Sequence, residues 1–287
     1  MRQAPTFAVL AAFLSSGLRG APPPVRVVST APSFTETMFA LGAGDRVVAV
    51  STYCHYPAAV DKLPRIGSYL EPNIEAIARL NPGLVLVHAE QKQVLAHLAR
   101  LGIRTLALRN TDLTETLDSV REIGAALGLA DRGVELERGI RAKLAAIEAR
   151  SAGRRPRTLL FVVGRTPGRL DGMIAVGKGS FLNELIRSAG GKNVLADSPV
   201  AYPHISLEGV IRLDPDVIVD MGDMTVTTGV TAEHIRSVVK LWEARPGIRA
   251  AAEHKVFAVA ADIFVVPGPR VAEAAEEFAR MLRQGGK

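Results

Sequence analysis

The residues best equipped to hold a ligand are the tyrosines. Phe, Trp and Tyr make up only 5% of the chain, yet all four tyrosines, Tyr53, Tyr56, Tyr69 and Tyr202, fall in segments rich in Pro, Gly or Ser and not on an apolar helical face. A tyrosine buries a large ring at small entropic cost and keeps a hydroxyl for hydrogen bonding, which suits the wall of a ligand cleft. His88, at the end of the apolar run Leu84 to Val87, and Asp262 and Phe264, after Val256 to Val259, occupy comparable positions. In open α/β sheets ligands bind outside the carboxyl ends of strands, so these side chains are expected to face one another across a cleft, Tyr202 from a different lobe than Tyr53 and Tyr69. Tyr56 fits a loop anchor equally well, and a lone histidine such as His88 or His204 is more often a structural residue than a ligand.

Catalytic patterns are weaker. Gly172-Met173-Ile174-Ala175-Val176-Gly177-Lys178-Gly179 nearly matches a phosphate-binding P-loop, but Gly179 stands where Ser or Thr must hold magnesium. A glycine turn with Ser180 capping the next helix is the better reading. Ser29 to Ser33 follows the first strand in place of a G-x-G-x-x-G turn, which argues against a dinucleotide-binding dehydrogenase. Ser33 and Glu36 have the spacing of a capping box. There is no G-x-S-x-G elbow and no H-E-x-x-H motif. A secreted α/β enzyme such as a hydrolase is the rival reading from another class, and it would need a nucleophile–base pair that the sequence does not identify. The single cysteine, Cys54, excludes an intramolecular disulfide framework and any multi-cysteine zinc or iron–sulfur site.

These side chains must be positioned by a regular framework. Short β-branched runs alternate with helical patterns: Val25 to Val28 then Phe34 to Leu41, Arg46 to Val50, Ile74 to Leu80 then Leu84 to Val87, Val94 to Leu101 then Thr105 to Leu108. This predicts a parallel or mixed sheet with helices on its faces. From Leu113 to Arg150 there is no strand candidate, only helix-forming sequence broken near Gly128. Val134, Leu136, Ile140, Leu144 and Ile147 give Asp131 to Arg150 close to helical spacing, and one helix of that length runs about 30 Å, enough to strut two lobes. Alternation resumes from Thr158. The expected organisation is a signal segment over 1–21, an α/β lobe over 22–128, an interlobe helix over 129–153 and a second α/β lobe over 154–287.

An internal repeat supports two similarly built lobes. Asn73 to Leu86 aligns without gaps on Ser206 to Val219 at an offset of 133 residues, which sets Glu75 on Glu208, Arg79 on Arg212 and Pro82 on Pro215. Each copy reads as a short helix, ended by a turn whose proline cannot continue it, feeding a buried strand.

The composition, 48% hydrophobic and 22% charged, excludes disorder, and 287 residues suit about two domains. The net charge is +6, but the basic residues are scattered; the only tight run is Arg154, Arg155 and Arg157, with no interleaved aromatics, so no nucleic-acid face is expected. Arg2, the apolar run Thr6 to Leu14 and the small and breaking residues up to Pro24 read as a secretory signal, cleaved after Gly17 or Ala21. No cysteine follows the run, which disfavours a lipid anchor, and no other segment is long and apolar enough to cross a membrane. A periplasmic, soluble, monomeric product is expected.

The order and spacing of Val27-Val28-Ser29 through Glu36, Tyr53-Cys54-His55-Tyr56-Pro57, Leu63 to Gly67, Asn73-Ile74-Glu75, Gly179-Ser180-Phe181, Ala189 to Val194, Tyr202 to Glu208 and Pro269-Arg270 resemble the helical-backbone, metal-chelate (class III) substrate-binding proteins of ABC importers, the cobalamin-binding members above all. The resemblance covers most of the chain after the signal. It implies two Rossmann-like α/β lobes joined by a single long helix, with a cleft between them that captures a metal chelate for a permease dimer and its ATPase. No catalytic cofactor and no directly bound metal are implied. By position Tyr53, Tyr69, His88 and Tyr202 line the cleft, joined by Arg165, Asp262 and Phe264, while Glu75 and Glu208 dock onto permease arginines. Cobalamin-binding relatives line the cleft with several tryptophans, whereas the only Trp here, Trp242, falls in a predicted helix away from it. The transported ligand is ranked a corrinoid first, haem second, because Tyr and His are also axial ligands for haem iron, and a ferric siderophore third.

Overall fold

The computed structural model describes residues 25–222 and 231–284; the expected signal segment lies outside the described residues. The first lobe is a wholly parallel sheet of β1 (Val27–Ser29), β2 (Val47–Val50), β3 (Leu84–His88) and β4 (Thr105–Leu108) in the order β2-β1-β3-β4. Its helices are α1 (Pro32–Ala40), α2 (Ile74–Arg79), α3 (Lys92–Arg100) and α4 (Leu113–Ala126). Strand side chains alternate between two cores. Val27, Val47, Leu84 and Leu86 pack with Phe34, Met38 and Ile123, whereas Val28, Ala49, Val85 and Val87 pack with Ile77 and Leu98. Burial on both faces explains why these strands read as continuous apolar runs.

The chain then turns into α5 (Ala130–Ser151), whose 22 residues span about 33 Å. It packs on α4, and Gly124 and Gly133 let the two helices approach closely: a Cβ on Gly124 would meet the Cα of Gly133 at 3.0 Å. A glycine inside a helix costs about 1 kcal/mol relative to alanine, which this close packing offsets. Leu136 of α5 touches the cores of both lobes, and Ile140, Leu144 and Ile147 belong to that of the second.

The second lobe comprises β5 (Arg157–Gly164), β6 (Met173–Ala175), α6 (Phe181–Ser188), β7 (Gly191–Asn193), β8 (His204–Ile205), α7 (Leu207–Leu213), β9 (Val217–Asp220), α8 (Ala232–Glu243), α9 (Arg249–Ala252), β10 (Val256–Ala258) and α10 (Val271–Arg283). The sheet order is β10-β9-β5-β6-β8, with β7 also on β5; β9 and β10 run parallel to β5, and β6 runs antiparallel to both β5 and β8. The strands β6, β7 and β8 are absent from the sequence reading because each has at most three residues and follows a glycine or proline that marks a turn. Ser180 caps α6 by accepting from the Leu182 amide at 3.2 Å, as its position predicts.

The two repeat copies share their local geometry. Asn73 and Ser206 are N-caps whose side chains accept from the amides of Ala76 and Gly209. Asn81 and Asp214 end the helices in the left-handed region, at φ 46° and 42°. The capping box at Ser33 and Glu36 does not form. Pro32 opens α1, with Ala31 at the N-cap, and a proline there has no amide to satisfy. Ser33 instead accepts from Asn110 Nδ2 at 2.8 Å, and Glu36 is free to reach the other lobe.

Candidate functional site

A cavity of about 400 Å³ lies between the lobes. One wall is built from the carboxyl ends of the first sheet: Ser33 beyond β1, Tyr53 and His55 beyond β2, His88 at the tip of β3 and Asn110 beyond β4, with Tyr69 and Leu70 from the loop before α2. The facing wall is the segment after β10, with Asp262, Val265, Val266 and Pro267. A parallel sheet delivers every strand end to one edge, so residues far apart in sequence meet there.

The aromatic groups form a connected row. Tyr53 and Tyr69 meet edge to face with centroids 5.9 Å apart, Tyr69 and His88 at 6.1 Å, and His88 tilts against the buried Phe34 at 4.7 Å. Tyr53 and Tyr69 are exposed, which leaves ring faces open to a ligand. Burial pushes the His88 imidazole below its ordinary pKa, so it is neutral at neutral pH and keeps a lone pair.

Buried hydroxyls tie together the strand ends that carry the row. Thr35 donates to Ser29 at 2.8 Å, Thr30 donates to the Leu86 carbonyl at 2.9 Å, and Cys54 lies within 3.3 Å of Ser51 and 3.2 Å of Thr35. Burial pushes the Cys54 thiol up, so it is a packing residue and a poor nucleophile.

The seam beside the cavity is ionic. Arg270, at the N-cap of α10, donates from Nε to Glu36 Oε2 at 2.8 Å and from Nη2 to Oε1 at 2.5 Å, and the same Nη2 lies 3.0 Å from Asp262. Its guanidinium sits 4.0 Å above the Tyr56 ring. Burial pushes the Glu36 carboxyl above its usual range against the pull of Arg270, and the two carboxylates hold the guanidinium firmly charged. Tyr56 is thus an anchor across the seam. Among the described residues the cavity lining holds no Lys or Arg, and its one carboxylate, Asp262, is already paired.

The structure therefore brings Tyr53, Tyr69, His88 and Asp262 to one cavity and leaves three other expected residues outside its lining. Arg165 has a side chain only 3% exposed; its Nε donates to Asp220 at 2.8 Å, and Asp220 also accepts from Trp242 Nε1 at 2.6 Å and from the Gly222 amide. Phe264 is buried against Phe161 and Phe278, at 5.7 and 5.2 Å. Tyr202 accepts from Ser180 Oγ at 3.1 Å, and burial pushes its phenol up although the residue as a whole is exposed. Phe181, next to Ser180, donates its amide to the carbonyl of Thr111, beside the lining residue Asn110. His55, Leu70 and Asn110 are lining residues that sequence reasoning did not single out; the strand-end rule applied to β4 would have found Asn110. Among the described residues no cluster of three His, Cys, Asp or Glu is placed to hold a metal ion, and no helix is long and apolar enough to cross a membrane.

Residues 27–262 match the family described as Periplasmic binding protein. The chain is 28% identical over 275 residues to the Vitamin B12-binding protein of Vibrio cholerae serotype O1, a match covering 94% of each chain. It is 30% identical over 270 residues to an uncharacterized ABC transporter substrate-binding lipoprotein of Bacillus subtilis (strain 168), covering 90% of this chain and 80% of that one. The fold superposes on a periplasmic heme-binding protein from Roseiflexus sp. RS-1 with a TM-score of 0.75 and 26% identity, over 90% of this chain and 99% of that one. With two α/β lobes, one long helix between them and an aromatic cleft at the strand ends, the chain belongs to the periplasmic binding protein family of substrate-binding proteins.

Proposed function

We propose that this protein is exported and captures a corrinoid, of the cobalamin or cobinamide type, for delivery to an ABC importer formed by a permease dimer and its ATPase. The observation that carries the reading is the charge of the cleft. Its described lining offers aromatic rings, the neutral imidazole of His88, amide and hydroxyl groups, no Lys or Arg, and one carboxylate, which shares Arg270 with Glu36. A corrin ring edged with neutral amides suits such a wall, whereas the carboxylates of haem and the anionic groups of many ferric siderophores call for cations. The similarity to the Vitamin B12-binding protein supports the same choice.

A haem carrier is the second reading. Tyr53, Tyr69 and the neutral His88 are chemically competent axial ligands for iron, and a heme-binding protein shares the fold. Absorbance titration of the purified protein with cyanocobalamin, cobinamide and haemin separates the two. Saturable binding of the corrinoids is expected. Binding of haemin alone, with an iron-coordination band lost in Tyr69→Phe or His88→Ala, would reverse the ranking.

Glu75 and Glu208 are exposed in the first turns of α2 and α7, at matched positions of the repeat. The helix dipole favours a carboxylate there, and a hydrogen bond from its own backbone amide, helped by Ser206, holds Glu208 below the usual carboxylate range. Two such knobs on two lobes suit bidentate pairing with permease arginines. Glu75→Arg with Glu208→Arg is expected to leave ligand affinity within a few-fold and to abolish stimulation of the transporter's ATPase; weakened ligand binding with intact stimulation would place both residues in the ligand site instead.

A further inference from the structure

A second hollow, of about 820 Å³, lies at the opposite end of the second sheet and shares no residue with the cleft. It is framed by the starts of β5 and β9, the residue before β10, and the C-terminal ends of α6 and α10. Six cations line it, Arg154, Arg155, Arg157, Arg249, Lys255 and Arg283, against a single carboxylate, Asp216. The only tight basic run in the sequence thus opens onto this hollow.

The cations differ in their engagement. Arg249 holds Asp214 and Asp216, each at 2.9 Å, Lys255 pairs with Glu253, and Arg283 lies 3.4 Å from Glu276. Arg157 donates to the carbonyls of Leu282 and Gln284 at the end of α10. Arg154 and Arg155 are exposed, and no ion pair to either is present among the described residues. Two guanidiniums without counter-charge, standing at the mouth of a concave and already basic wall, attract anions that can take two or more donors at once. Phosphate geometry matches the guanidinium fork.

We propose that this hollow binds a phosphate-bearing polyanion, with Arg154 and Arg155 as the principal contacts. The site is independent of whatever ligand occupies the cleft. The test uses the purified chain in low salt with two probes, sodium tripolyphosphate by titration calorimetry and phosphatidylglycerol vesicles by co-sedimentation. Tripolyphosphate is expected to bind saturably, about one per chain, and Arg154→Ala with Arg155→Ala to weaken it by about tenfold or more while the melting temperature stays unchanged, because both residues are exposed. A matched double variant on the first lobe, Arg79→Ala with Arg100→Ala, is expected to leave binding intact. The same pattern seen only with vesicles sustains the site and assigns its phosphate to a lipid headgroup. Failure of both probes to bind saturably, or equal loss in the two double variants, overturns the proposal, since equal loss reports net charge alone.

Discussion

The interior of the second lobe and the seam between the lobes each bury an arginine on a carboxylate, and the two pairs are built differently. Asp220 is fully buried and accepts from Arg165, Trp242 and the Gly222 amide, all donors from its own lobe. Arg270 reaches instead from the second lobe to Glu36 of the first, shares itself with Asp262 at the cavity edge and lies over Tyr56. The first pair lies inside one lobe; the second lies where the lobes meet, beside the cavity. Burial of an ion pair stabilises little by itself, so what matters is which partner is stranded when the pair is broken.

The largest effect is expected in the interior. Asp220→Ala leaves the buried Arg165 guanidinium, which keeps only the Thr166 and Arg169 carbonyls, without its counter-charge and the Trp242 N–H without its acceptor, which should destabilise the fold by about 3–5 kcal/mol. A loss of about 10 °C in melting temperature follows for a chain of this size, and a loss of only a degree or two would show that Arg165 finds solvent or another partner. At the seam, Glu36→Gln keeps shape but removes the charge facing Arg270, which retains Asp262. A cost of about 2 kcal/mol is expected, read by chemical denaturation, together with a change in ligand affinity that an Asp220 variant of equal folded fraction does not show. If both variants alter affinity equally, the distinction between interior and seam fails. Tyr56→Leu removes only the ring under Arg270 and should cost about 0.5–1 kcal/mol, measured as the difference from Tyr56→Phe, which keeps that ring.

The smallest effect concerns pH. His88 has a depressed pKa in the folded chain, so between that value and the ordinary histidine pKa the unfolded chain binds more protons. Its contribution to stability is complete above about pH 6.5 and is lost as pH falls through the folded value. His88→Gln should flatten the stability profile below pH 6.5 relative to the parent. An unchanged slope would mean that the imidazole is solvated in the cleft.

The sequence alone determined the features that depend on neighbours in the chain. A short helix, a turn and a proline can be read at Asn73 to Pro82 and again at Ser206 to Pro215, because the hydrogen bonds involved span only a few residues. The alternating strands and helices, and α5 within a residue of its expected ends, were legible for the same reason, since periodicity records which faces are buried. The rule that ligands gather at strand ends singled out Tyr53, Tyr69, His88 and Asp262, and the structure places all four around one cavity. Only the tertiary structure decided which way a strand-end side chain turns. Arg165 and Phe264 occupy such ends as well, but Asp220, 55 residues away, draws the guanidinium inward, and Phe161 and Phe278 enclose the ring. Likewise Ser33 and Glu36 carry the spacing of a local cap and were claimed by Asn110 and Arg270, the latter 234 residues distant from Glu36. Because Pro32 opens the helix and moves its N-cap to Ala31, the local cap is lost to both side chains, and no spacing in the sequence announces the distant partners they find instead.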